Sequence, residues 1–301
     1  MSNGTLCILG CGNLGTAILK SLLASKNQLF TKYVACVASH ASTERLKTQF
    51  ASSLDKTKNL SISTGDNVSA IQNADVVILA LDPSVISSGL SQEGIANALG
   101  EKLLISVAAG WTVQKLYETL YGSNISQGEK AGAGKASIIR TLPTITALVG
   151  QSLTAIEINP SSPPNQAHLE LTDDIFASIG KTQHIPPTLI DATTAVAGST
   201  PAMFAIIVDA MVDAAVAVGV PRPLAQGMVL QSMAGSAAIM QGGTSPAELR
   251  DQGTSPEGCT IGGIMVLEER GVRGGIQRAV REAVTLARRM DGVGHFNDTR
   301  P

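Results

Sequence analysis

Aromatic residues make up only 3% of this sequence and charged residues only 15%. Nucleic-acid bases stack on aromatic platforms, which a chain this poor in rings does not supply. Neither sign of charge dominates: 22 Lys and Arg stand against 24 Asp and Glu, a net charge of −2. Nothing basic enough for a nucleic-acid scaffold or a polybasic membrane binder is present, so neither partner is expected. Charged residues also fall well short of the usual quarter or so, which excludes a disordered chain and a coiled coil. Cysteine is sparse. Cys7, Cys11, Cys36 and Cys259 show no CxxC spacing, and three of them fall in or beside expected strands, where a free thiol acts as a small hydrophobe. His40, His168, His184 and His295 make no HxxxH pair, and no GxSxG elbow appears, so no metal is expected. The start MSNGTLCILG has no basic region and no long apolar run before its first strand, so no signal peptide is expected. Reduced thiols and that start fit a cytoplasmic setting.

What the chain does have is length, apolar mass and glycine: 301 residues, 44% hydrophobic, with 30 Gly. Domains of ordinary size run to about 100–200 residues, so two are expected. From residue 5 to about 186, short β-branched runs alternate with helical stretches. TLCIL, YVACVA, SIST, DVVILAL, KLLISV, ASIIRTL and LTAIEI read as strands; 16–25, 42–54 and 113–120 read as helices. Such alternation implies a parallel, doubly wound sheet. The polar inserts 123–135 and 159–165 read as surface loops.

After 184–187 the strand signals stop, and residues 190–241 are rich in Ala and Met with little charge. Residues 202–220 have the length of a membrane span. Asp209 and Asp213 lie inside it, and charges there are costly in lipid, so a buried bundle helix is expected. The pair reads as a hydrogen-bonded face rather than an acid–base dyad. A helical domain this apolar has too few polar positions for a solvated surface, and its excess face is expected to meet another subunit. The tail 291–301 has no periodicity and is expected to fray. The expected fold is thus an N-terminal Rossmann-type α/β domain, residues 1–187, followed by an all-α dimerisation and substrate domain, residues 188–301.

Gly10-Cys11-Gly12-Asn13-Leu14-Gly15 is a GxGxxG that follows an apolar strand and opens a helix. That context marks a dinucleotide site. Gly10 permits the turn, Gly12 admits the pyrophosphate, and Gly15 lets helix and sheet approach closely. The helix aims its N-terminal amides and positive dipole end at the phosphates. NAD sites place an acid about 20 residues on, at the end of the second strand. Here that strand ends Val37-Ala38-Ser39-His40. A missing acid suits the 2′-phosphate of NADP(H), with Ser39 as a donor and Arg45 as the nearest Arg; NAD(H) remains possible.

The second domain contains Ser255-Pro256-Glu257-Gly258-Cys259-Thr260-Ile261-Gly262-Gly263, then Val266-Leu267-Glu268 and Gly271-Val272-Arg273. This resembles the C-terminal motif of pyrroline-5-carboxylate reductases. Similarity extends along most of the chain: the loop Gly10–Gly15, Asn67, the run 106–110, the run 139–143, and the stretch 191–231 with Gly219-Val220-Pro221-Arg222 and Ala225. The chain is identified as a divergent, fungal-like member. The resemblance implies NAD(P)H-dependent reduction of the cyclic imine 1-pyrroline-5-carboxylate to L-proline, by a homodimer or an oligomer of dimers. It implies that Thr260 hydrogen-bonds the substrate's ring nitrogen as the catalytic residue, and that Ser255, Gly258 and Cys259 help hold the substrate. For the cofactor it implies Gly10, Gly12, Asn13, Leu14, Gly15, Ser39, Asn67, Ala80, Leu81, Pro83, Ala108, Ala109 and Gly110. The chain departs from the family's pattern at Asp82, Thr144, Thr200 and Glu257. A reductase of another cyclic imine in a specialised pathway is the second reading, and a non-catalytic NADP-binding protein the third. A β-hydroxyacid dehydrogenase is disfavoured, because residues 190–245 contain no Lys for its catalytic position.

Overall fold

The computed structural model describes residues 4–25, 27–51, 59–123, 134–292 and 294–300. They form two compact units. One comprises the residues up to Gly198 together with Leu286–Gly294; the other comprises Ser199–Thr285 with the residues from His295 on.

The first unit is built on an eight-stranded sheet. Its strands are β1 Thr5–Leu9, β2 Lys32–Val37, β3 Leu60–Thr64, β4 Val76–Leu79, β5 Leu103–Ser106, β6 Ser137–Leu142, β7 Ser152–Glu157 and β8 Gly180–Ile185. They lie in the order β3-β2-β1-β4-β5-β6-β7-β8, parallel except where β7 runs against β6. β4 and β5 are buried at every residue, as a parallel sheet covered on both faces requires. Alternate side chains divide between two cores. Leu6, Ile8, Ile78 and Ile105 pack with Ile18 and Leu22 of α1 (Asn13–Ala24) and Phe176 of a later helix. Cys7, Leu9, Val77 and Leu104 pack on the opposite face with Ile71 and Leu116.

Each strand expected from the sequence is present. The strand β8 was not expected. Its sequence GKTQHI is polar, with only Ile185 buried, so it shows no apolar run; pairing with β7 makes it a strand. The reversal at β7 has a simple cause. Residues 143–151 are too few for a parallel crossover, which takes a dozen or more. Helix α2 runs His40–Gln49, while the remainder of the expected 42–54 segment beyond residue 51 lies outside the described residues. So does most of the insert 123–135. The insert 159–165 is a loop, ending at Asn165, which caps the helix that follows it. Among the described residues, the other α-helices of this unit are α3 Asn67–Gln72, α4 Ile86–Leu90, α5 Ile95–Ala98, α6 Val113–Tyr121, α7 Gln166–Ala177 and α8 Ile190–Thr193.

The second unit contains α9 Thr200–Ala217, α10 Arg222–Gln241, α11 Pro246–Gln252, α12 Cys259–Glu269 and the start of α13 Val272–Asp291. The sequence led us to expect α9 to be buried, and within this chain it is not. Val212 alone is buried in α9 and Ala225 alone in α10, while Phe204, Ile206, Met211, Met228 and Met265 are exposed. Asp213 pairs with Arg222 across the turn that joins α9 to α10, which accounts for one of the two acids. The continuous helical run Pro187–Ala217 is long and apolar enough to cross a membrane. The described residues of the tail, aperiodic as expected, make contacts with α13. The Thr299 amide donates to Thr285 Oγ1 at 3.0 Å, and Arg300 pairs with Glu282, so side chains of α13 hold an aperiodic segment in place.

Candidate active site

The order β3-β2-β1-β4 reverses direction at β1, and in such sheets ligands bind beyond the carboxyl ends of the strands at that point. The glycine loop lies there, between β1 and α1. Its three glycines meet three different constraints. Gly10 has φ +94°, and a Cβ on it would sit 2.6 Å from the Ala80 carbonyl oxygen. A Cβ on Gly15 would run into the Gly10 carbonyl and Ile8. A Cβ on Gly12 would meet nothing within 4 Å. Gly10 and Gly15 are therefore required by the fold itself, whereas Gly12 borders open space. That space, at the amide end of a twelve-residue helix, is a cradle which a dinucleotide phosphate fits. Gly12 and Asn13 are exposed there, and Leu14 is half-buried against the core.

The other expected cofactor residues stand at the same edge of the sheet. Ser39 follows β2 and caps α2, its hydroxyl accepting from the Ser42 amide at 3.2 Å. Asn67 opens α3 after β3, behind its capping residue Asp66. Ala80, Leu81 and Pro83 follow β4; Ala108, Ala109 and Gly110 follow β5. Trp111 joins these last two segments, donating from Nε1 to the Pro83 carbonyl at 3.1 Å. Beside Gly110 opens a cleft of about 470 Å³, also lined by Trp111, Lys115, Glu118 and Thr119. Lys115 is already engaged there, with Gly110 and Met290 carbonyls at 3.3 and 3.2 Å.

Two of the departures from the family's pattern have local structural roles in this unit. Asp82 accepts from the Ser84 amide at 2.9 Å, capping the turn that begins at Pro83. Thr144 is buried, bonded through its hydroxyl to Thr146 at 2.7 Å and Ser152 at 3.3 Å, where it secures the β6–β7 turn. The thiols of Cys7 and Cys11, in and beside the loop, are held in their neutral form. Burial, with Cys36 adding to it, pushes Cys11 up to about 12, and Cys7 is raised by its contact with Cys36 and by burial.

In the second unit, Ser255-Pro256-Glu257-Gly258 forms a turn closed by the Gly258 amide donating to the Ser255 carbonyl at 3.0 Å. Pro256 fixes the second position and Glu257 takes the third with φ +58°, the arrangement of a type II turn. A left-handed residue there favours Gly. Gly258 then caps α12, and a Cβ on it would sit 2.6 Å from Ser255 Oγ. Cys259, Thr260 and Ile261 occupy the first turn of α12, where helical amides lack intrahelical partners. Cys259 and Thr260 are exposed, and Thr260 makes no side-chain hydrogen bond among the described residues. No cluster of His, Cys, Asp or Glu able to hold a metal occurs among the described residues.

The sequence reading passed over a buried group in the first unit. Arg140 of β6 pairs with Glu157 of β7 at 3.5 Å and with Asp291 of α13 at 2.9 Å. Asp191 of α8 adjoins them; burial first, and then a hydrogen bond and repulsion from Asp291, push its carboxyl up to about 6. Burial raises Glu157 as well, against the pull of Arg140. A lone Arg inside the apolar strand SIIRTL was the signal, since a buried charge requires partners.

Comparison with known proteins agrees with this arrangement. Residues 187–290 match the family model described as pyrroline-5-carboxylate reductase dimerisation, and residues 5–110 match one described as NADP oxidoreductase coenzyme F420-dependent. The pyrroline-5-carboxylate reductase of Lophium arboricola is 41% identical, over 98% of this chain and 96% of that protein. That of Neurospora crassa is 33% identical, over 98% and 96%. A Plasmodium falciparum pyrroline carboxylate reductase solved with NADP bound is similar at a TM-score of 0.78 and 26% identity, over 97% of this chain and 100% of the other. With that identity sustained along nearly the whole sequence, the chain belongs to the pyrroline-5-carboxylate reductase family.

Proposed function

We propose that this protein reduces 1-pyrroline-5-carboxylate to L-proline with a nicotinamide cofactor, NADPH in preference to NADH. The observation that supports this most is the pairing of two features in one chain. One is a phosphate cradle bounded by Gly12; the other is a Pro-led turn that opens α12 with Thr260 exposed in its first turn. As a member of its family it is an oxidoreductase acting on CH–NH groups. The bound cofactor supplies a hydride to the ring carbon of the protonated imine, whose nitrogen already carries the proton that the product amine keeps. The chain's own residues do the rest. Amides of the first turn of α12 take the substrate carboxylate. The Thr260 hydroxyl holds the ring nitrogen, which becomes an amine and must be oriented while it does so. A cyclic iminium is already electrophilic, so positioning provides much of the rate.

Preference for NADPH follows from the end of β2, where Ser39 stands and an acid for the ribose 2′-OH does not. We assign residues 1–187 to cofactor binding and residues 188–301 to assembly and substrate binding. The exposed apolar side chains of α9, α10 and α12 fit a homodimer built through the helical unit, and dimers can assemble further. The same burial accounts for the apolar Pro187–Ala217 run, whose Asp209 and Asp213 suit a protein interface better than lipid. The four free cysteines suit the cytoplasm. Oxidation of NADPH by purified protein, followed at 340 nm with 1-pyrroline-5-carboxylate, tests the reading. Turnover faster with NADPH than with NADH is expected. No turnover with either cofactor overturns it.

A further inference from the structure

Arg45 looked from the sequence like the cation that would meet the cofactor's 2′-phosphate. Its guanidinium is elsewhere. From α2 it reaches the glycine loop and donates through Nη2 to the Cys11 carbonyl at 2.5 Å, with Nη1 3.4 Å from Thr16 Oγ1. Thr16 donates to the same carbonyl at 3.1 Å. The Cys11 amide is held from the other side, since Gly10 and Cys11 both donate to the Cys36 carbonyl, at 3.1 and 3.0 Å. Arg45 thus faces the α1 side, in a small cleft that it shares with Asn13, Thr16, Lys20 and Gln49.

We propose that Arg45 is a positioning residue of the cofactor site, which fixes and polarises the Cys11–Gly12 peptide so that the Gly12 amide is aimed at the pyrophosphate. The inference rests on the reading of the glycine loop as the dinucleotide site. A trans peptide is planar, and its carbonyl and amide point in opposite directions. A guanidinium on the Cys11 oxygen therefore sets the Gly12 N–H on the opposite side of that peptide, at a residue that is itself exposed. A charge-assisted bond to the carbonyl also draws electron density toward that oxygen and makes the amide of the same peptide a stronger donor. The charge is not spent on a neighbouring acid. Glu44 is taken by Lys47 at 2.9 Å, and among the described residues no carboxylate pairs with Arg45. Since the pyrophosphate is common to both cofactors, this role serves NADPH and NADH alike.

The test is the dissociation constant of each cofactor, measured by quenching of protein fluorescence on wild type, Arg45→Met, Arg45→Lys and Gly12→Val. Arg45→Met is expected to weaken NADPH and NADH by about tenfold each, leaving their ratio within about threefold of wild type. Arg45→Lys should recover part of that loss. In turnover, Arg45→Met should raise the KM of both cofactors and keep kcat; mere loss of folded protein would lower kcat and leave KM alone. Weakening of NADPH only would overturn the proposal and return Arg45 to the 2′-phosphate. Unchanged affinity for both would also overturn it. Undiminished binding by Gly12→Val would instead reject the loop as the dinucleotide site.

Discussion

Arg140 and Asp291 form an ion pair at 2.9 Å across 151 positions of sequence, with both side chains almost wholly buried. The pair lies between β6 and the last turn of α13. Removing one partner of a buried pair leaves the other charge unmatched, at a cost of about 3–5 kcal/mol, whereas replacing both by apolar groups costs far less. Asp291→Ala is therefore expected to lower stability in urea unfolding by an amount in that range, and Arg140→Met with Asp291→Leu by less. A single variant within about 1 kcal/mol of wild type would mean that Glu157 alone satisfies Arg140.

A pH dependence follows from the same group. Two cations, Arg140 and Arg288, act on three carboxylates, Glu157, Asp191 and Asp291. Among the described residues Asp291 Oδ1 is buried without a donor, unless Asp191 carries a proton. The Asp191 carboxyl is raised from 3.8 to about 6, so the folded state binds more protons than the unfolded state between those values. Its contribution is complete below about pH 3.8 and is lost as pH rises through about 6. Glu157 acts in the same direction. Asp191→Asn mimics the protonated form. Its melting temperature relative to wild type should be higher at pH 7.5 than at pH 5.5, and parallel curves would assign the titration to another group.

How much of this was legible in the sequence depends on where the physical signal sits. The glycine loop and the inner strands were readable because their constraints are local: a turn, an amide cradle, and runs such as VVIL that are buried at every position. The strand β8 was not, because its partner, not its composition, makes it a strand. How much of α9 its own chain covers was not legible, since an apolar helix reads alike whether covered by its own chain or by another; only Val212 is buried within this chain. Arg45 showed only its charge. Its contact with Cys11, 34 positions away, exists only once α2 lies beside the loop.

The three glycines give separable outcomes. Gly10→Ala places a methyl group 2.6 Å from a backbone oxygen at φ +94°, so the protein without cofactor should lose at least about 2 kcal/mol of stability. A Cβ on Gly12 meets no protein atom within 4 Å, so Gly12→Val should melt close to wild type while no longer binding NADPH. Calorimetric melting with and without NADPH separates the two. A Gly12→Val protein that is still stabilised by NADPH would show that the cradle is not where the pyrophosphate lies.

Glu257 and Thr260 test the substrate. Glu257 holds φ +58° at a turn position that favours Gly, a conformation that costs an L-residue roughly 1–2 kcal/mol. Glu257→Gly relieves this but loosens the unfolded chain, so a net gain of about 0.5–1 kcal/mol in stability is expected. The variant also removes a negative charge next to the amides proposed to take the substrate carboxylate, and should lower the KM for 1-pyrroline-5-carboxylate. Thr260→Val should reduce kcat/KM by about 1.5–3 kcal/mol, the range for losing a hydrogen bond to a charged partner. Unsubstituted 1-pyrroline is the control, since it has the ring nitrogen and no carboxylate. Thr260→Val should slow both compounds, while Glu257→Gly should help only the acid. If Glu257→Gly instead impairs the acid, the carboxylate side chain serves the natural substrate, and a cyclic imine carrying a cation becomes the compound to assay.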